Sequence, residues 1–151
     1  MQRRTWANRI GILGIVSAIA LSACGPSKVE ECTEILNAWE ATRRQKTLGT
    51  YTRELVLQHA TLDEQLAGEL EAMPIRNAKL KEHLATLIAG IRKGAEANRA
   101  YAEWVGPEGT VSIRVGDTAR EQAWQQVQSQ QRQANNQTQL GYGQIMSFCS
   151  I

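Results

Sequence analysis

Four stretches of this chain carry apolar residues at helical spacing, each bounded by a capping pattern, a glycine or a proline, and this restricts the fold more than any other feature. The first opens with Ser27-Lys28-Val29-Glu30, a capping box in which hydroxyl and carboxylate satisfy backbone amides reciprocally. It runs to about Gln45 with Val29, Cys32, Ile35, Leu36 and Trp39 on one stripe. After Gly49 the second spans roughly Tyr51 to Ala72, with Leu55, Leu62, Leu66, Leu70 and Met73 on a face. A second box pattern, Thr61-Leu62-Asp63-Glu64, would mark a break inside it. Pro74 ends the pattern, because proline lacks an amide donor and pushes the residue before it away from helical angles.

Asn77 is a good N-cap for a third helix reaching about Val105, with Leu80, Leu84, Leu87, Ile88, Ile91, Ala95 and Ala102 on its stripe and Asn98 as the one polar residue there. Gly106-Pro107-Glu108-Gly109 closes it. Thr110 to Val115 alternates polar and apolar, but a lone strand has no sheet to join, so it reads as a crossing loop. The fourth helix is expected to begin with Thr118-Ala119-Arg120-Glu121 and to continue towards Phe148, its inner stripe being Ala123, Val127, Ala134, Thr138, Gly141, Ile145 and Phe148. Half of residues 122–139 are Gln. Glutamine is a competent helix former, yet the stripe is short on bulk, so partial disorder of this run and a kink or end at Gly141-Tyr142-Gly143 both stay open. Together the segments predict an all-α fold, an up-down-up-down four-helix bundle over residues 27–151, with no internal repeat.

The N-terminus has a different character. Arg3, Arg4 and Arg9 precede an uncharged apolar run from Ile10 to Ala23, the layout of a secretory signal peptide. The run falls short of the roughly 20 apolar residues that span a hydrocarbon core. It ends in Leu21-Ser22-Ala23-Cys24, and the segment thereby resembles a bacterial lipoprotein signal. That resemblance implies removal of residues 1–23, lipidation of Cys24 and an N-terminus of residues 24–26 leading into the bundle. Two or three acyl chains would hold the protein stably, where one is marginal. Gly25 after the cysteine, rather than Asp, leans towards the outer membrane over the inner. Cleavage after Ala20, leaving Cys24 a plain thiol, and an uncleaved membrane anchor are the other two readings.

Removing residues 1–23 from the 151 leaves 128, a length suited to one domain with its own core. Taking Arg3, Arg4 and Arg9 from the 17 basic side chains leaves 14 against 15 acidic ones, a net charge of −1, and the two signs are interspersed along every segment. No basic face of the kind that binds phosphate backbones is present, so no nucleic-acid partner is expected. With Cys24 carrying lipid, Cys32 and Cys149 remain. Outside the cytoplasm an even number of remaining cysteines reads as a disulfide, with two buried thiols as the alternative. In an up-down-up-down bundle the start of the first helix and the end of the last are neighbours, so Cys32 and Cys149 would meet there.

Catalytic and metal-binding patterns are missing: no phosphate-cradling glycine loop, no His-Glu-x-x-His, no nucleophile elbow. His59 falls on the stripe of the second helix and His83 on the flank of the third, at heights that differ by roughly 12 Å at 1.5 Å per residue, so they would not share a metal. Glu69 and Glu71, two apart, point to different faces. Tyr101, Trp104 and Trp124 would either form an aromatic patch for a partner or pack at the core boundary.

Cys32 with Asn37 in the opening helix, Ile75-Arg76-Asn77-Ala78-Lys79-Leu80 opening the third, and Cys149 near the end make most of residues 29–149 resemble an uncharacterised family of helical exported lipoproteins. The resemblance implies no activity or site. The expectation is a non-enzymatic, membrane-tethered interaction or structural module of the cell envelope, with an envelope protein as partner and neither cofactor nor metal. The alternative is a small-ligand or ion-binding bundle with a pocket between the second, third and fourth helices, where His59, Asn98 and Gln side chains would supply polar contacts.

Overall fold

The computed structural model describes residues 27–46, 49–106, 108–114 and 116–150. The expected signal segment, Cys24, Pro107 and Val115 lie outside the described residues. Four helices, α1 (Lys28–Gln45), α2 (Arg53–Ala72), α3 (Ala78–Ala102) and α4 (Thr118–Cys149), form an all-α up-down-up-down bundle. The end holding the start of α1 is called the lower end below. Among the described residues β pairing is confined to one isolated antiparallel bridge, Val105 to Val111, in the α3–α4 connection. α3 runs along both α2 and α4, while α1 lies against α2 and α4 more lightly.

Each helix starts at a side chain that reaches an otherwise unpaired amide. Ser27 forms the expected capping box with Glu30, and Asn77 accepts from the amides of Lys79 and Leu80. Thr52 caps α2 by accepting from Leu55, and Asp117 rather than Thr118 caps α4 by accepting from Arg120. No break occurs at Thr61: its hydroxyl donates to the Leu57 carbonyl one turn back, so it is satisfied inside a continuous helix. α3 stops at Ala102, short of Val105, which is drawn into the bridge with Val111.

The lower half of the bundle is a packed apolar core. Ile35 of α1, Leu66 and Leu70 of α2, Leu80, Leu84, Leu87 and Ile91 of α3, and Ile145 of α4 are all buried in one cluster. Cys32 belongs to it, and its sulfur lies 2.04 Å from that of Cys149, with the Cα atoms 5.9 Å apart, tying the first turn of α1 to the last of α4. Val29, expected on the stripe, is 51% exposed, and the interior place beside Cys32 goes to Glu31 instead. Along α2 the buried face is Val56, His59, Ala60, Asp63, Leu66, Ala67 and Leu70, rotated from the expected Leu55 and Leu62, which are half-buried.

α4 is an unbroken helix of 32 residues through Gly141-Tyr142-Gly143. The glycine serves contact: a Cβ at Gly141 would stand 2.5 Å from the backbone nitrogen of Leu87, and one at Gly90 would stand 2.5 Å from that of Thr138. At these two points the α3 and α4 backbones touch, an approach that a methyl group would block. The Gln-rich run is helical because its seam is narrow. Val127, Ala134, Gly141 and Ile145 are buried and the half-buried Gln131, Thr138 and Phe148 fall between or beside them, a three-and-four spacing that leaves most glutamines in solvent. Ala123, expected inside, is exposed.

Candidate functional site

The helices differ in length, and this opens the upper half of the bundle. With Cys32 paired to Cys149, α1 and α4 are aligned at the lower end, yet α1 has 18 residues and α4 has 32. At 1.5 Å per residue they span about 27 and about 48 Å. Beyond the last turn of α1, the seam between α3 and α4 has no fourth helix over it. The seam also changes composition there. The positions that continue the Leu84, Leu87, Ile91 series along α3 hold Gly94 and Asn98, and those that continue Ile145, Thr138 along α4 hold Gln131.

A trough of about 370 Å³ results, lined by Trp39, Arg43 and Lys46 of α1 and its C-terminal cap, Asp63 of α2, Ile91, Gly94, Ala97 and Asn98 of α3, and Gln131, Ala134, Asn135 and Thr138 of α4. A second cavity of about 300 Å³ adjoins it through the shared Asn98 and Gln131 and is otherwise lined by Tyr51, Val56, His59 and Tyr101. The base is apolar, since Ile91, Ala97 and Ala134 are buried, while Asn98, Gln131 and Thr138 are half-buried on its sides.

Two charged groups close one side. Lys46 donates to Asp63 at 2.5 Å, with 30% and 12% of the two side chains exposed. Burial raises the Asp63 carboxyl above its ordinary range, partly offset by the Lys46 charge and hydrogen bond and by His59 nearby. Neither Lys46 nor Asp63 stood out in the sequence: the pairing bridges 17 residues, and Asp63 read as part of a capping box. Trp39, also unremarked as a site residue, stacks on Tyr142 with ring centroids 5.1 Å apart, and its indole N–H is buried with no acceptor among the described residues.

His59 and Asn98 thus line one cavity with Gln131. His83 sits elsewhere, its ring edge-on to Phe148 at 5.9 Å near the lower end, whereas His59 meets Tyr51 edge-on at 6.1 Å in the upper half. Among the described residues no group of three His, Cys, Asp or Glu side chains is placed to hold a metal ion. Tyr101, Trp104 and Trp124 do assemble, Trp124 lying 5.5 Å from each of the other two rings with Arg120 over Trp104. All three are half-buried at the top of the bundle, against the bridge that joins α3 to α4. Glu71 is exposed and paired with Arg92. No helix among the described residues is long and apolar enough to cross a membrane. The chain matches no known family, no curated protein and no solved structure.

Proposed function

We propose that this chain is a lipid-anchored, non-enzymatic helical module of the cell envelope, held through Cys24 and acting by contact through its upper end. One observation carries the reading: α1 starts at Lys28, four residues after Cys24, and an opening lined by residues of α2, α3, α4 and the C-terminal part of α1 lies towards the opposite half of the bundle. A tether of that length reaches at most about 14 Å, so a lipid on Cys24 would hold the lower end against the bilayer and turn the trough and the Tyr101, Trp104, Trp124 cluster away from it. The groups a reaction would draw on are committed to structure. Glu31 binds two backbone amides, Asp63 binds Lys46, and the two histidines pack on aromatic rings.

Expression of the full chain in a bacterial host, with fractionation and mass spectrometry of the N-terminus, tests this. The expected product is membrane-bound with a diacylated or triacylated Cys24, and Cys24→Ser is expected to accumulate as an unprocessed precursor. An unacylated N-terminus on the wild-type protein overturns the proposal, along with the envelope address. The cavity adjoining the trough favours a second reading, that the upper half receives a small polar ligand, because His59, Asn98 and Gln131 converge on it.

A further inference from the structure

The interior of a bundle this size is ordinarily filled with Leu and Ile along its whole seam, and here it is filled that way only in the lower half. In the upper half, seam positions are held by Asn98, Gln131 and Thr138 over an apolar base, and the space is open. Sequences break the packing rule at a point like this mainly where a site requires it. The two cavities, of about 370 and about 300 Å³, fall in the range of small-ligand sites, roughly 300–1,000 Å³.

The chemistry of the lining selects the ligand. Lys46 is paired with Asp63 within the lining, and Arg43, largely exposed, reaches Glu40 on the surface of α1, so an anion would compete with a carboxylate for either cation and a cation would compete with Lys46 for Asp63. What remains are the amides of Asn98 and Gln131, the hydroxyl of Thr138, and the amide of Asn135, whose oxygen also accepts from Gln139. Each of these both donates and accepts hydrogen bonds, which is what a hydroxyl or an acetamido group also does. Trp39 bounds the trough and Tyr101 the adjoining cavity, aromatic rings of the kind on which the C–H side of a sugar packs. We propose that the trough binds a short neutral saccharide, laid along the α3–α4 seam beside the C-terminal part of α1, with Asn98 and Gln131 bridging two adjacent rings. The assignment rests on the trough being a ligand site and is independent of the lipid anchor.

Full-length protein in detergent micelles, followed by NMR, tests it. The probes are di-N-acetylchitobiose, cellobiose and maltose, with glycylglycine as a zwitterion that would have to split the Lys46–Asp63 pair. At least one saccharide is expected to move the side-chain amide signals of Asn98 and Gln131 and the Trp39 indole N–H saturably, leaving the Trp104 indole in place. Gln131→Leu and Asn98→Leu, near-isosteric changes at half-buried positions, are each expected to weaken that response about tenfold, the effect of one lost hydrogen bond. Thermal melts of both variants check that the fold survives, and either one alone suffices. Movement that fails to saturate by about 10 mM, or that persists unchanged in the variants, overturns the proposal. A saturable response to glycylglycine alone overturns the saccharide assignment while leaving the trough a ligand site. Silence towards all four probes removes both, whatever the membrane fractionation shows.

Discussion

Glu31 shows how one residue acquires a role that its neighbours in sequence do not disclose. Only 2% exposed, its carboxylate accepts from the amides of Arg76 and Asn77 at 2.7 and 3.3 Å, across 45 and 46 residues. Those amides lie where the α2–α3 turn meets the start of α3, where a negative charge also suits the helix dipole. Glu31→Ala would leave two donors unpaired at a closed junction and is expected to destabilise the fold by about 2–3 kcal/mol in urea titration, with Glu31→Gln recovering part of the loss. Asp63 carries the opposite kind of tension. Its raised pKa means the folded chain holds that proton more tightly than the unfolded chain, so its contribution is full below the ordinary Asp range and is lost as pH rises through the raised value. Glu64, Glu71 and Glu82 are held low by Arg99, Arg92 and Lys79, so their contributions run the other way, lost as pH falls. Being common to both proteins, they cancel when Asp63→Asn is compared with the wild type. The variant is therefore expected to gain on the wild type in urea midpoint as pH rises from the ordinary Asp value through the raised one; a relative loss over that rise would show that Lys46 outweighs burial.

At the scale of the element, α3 and α4 are a pair defined by the absence of side chains. A methyl at Gly141 meets the Leu87 backbone, which is not the flexible end of a side chain and has no room to yield, whereas nothing lies within 4 Å of a methyl at Gly143. Gly141→Ala is expected to cost about 2–3 kcal/mol by forcing the helices apart. Gly143→Ala, two residues on in the same helix, is expected to stabilise by about 0.5–1 kcal/mol through helix propensity alone. If the two variants shift the thermal midpoint alike, the close approach is not what Gly141 provides. α4 also shows why composition misleads for a long helix: nine glutamines in eighteen residues look unstructured, yet an inward series of Val127, Ala134, Gly141 and Ile145 is enough when the partner helix supplies the bulk.

Over the whole molecule, stability is distributed unevenly. α3 lies between α2 and α4 and shares the apolar lower core with both, whereas α1 makes lighter contacts and is tied to α4 through Cys32 and Cys149, 117 residues apart. Closing a loop of that size contributes about 4–5 kcal/mol in the chain-entropy model. Reduction is expected to lower the unfolding free energy by up to that amount and to do so locally first: hydrogen exchange should rise across α1 while α3 stays protected. Equal loss of protection in α1 and α3 would mean the bundle opens as one unit.

Helix number, three of the four caps or their near neighbours, the direction of each helix and the meeting of Cys32 with Cys149 were all legible from the chain, because capping and three-and-four periodicity are local properties that any neighbour of a helix must respect. His59, Asn98 and the glutamines were legible as polar residues on apolar stripes. Their meeting in a pocket between α2, α3 and α4 was the alternative expectation, and the cavity shared by His59, Asn98 and Gln131 agrees with it. Glu31 under the α2–α3 turn, Lys46 against Asp63, and the rotation of α2 that buries Asp63 while half-exposing Leu55 and Leu62 were not legible. Each of those depends on which helix faces which and at what height. That register is set by side chains 17 to 46 residues apart and by two glycine contacts, so it exists only once the helices have packed.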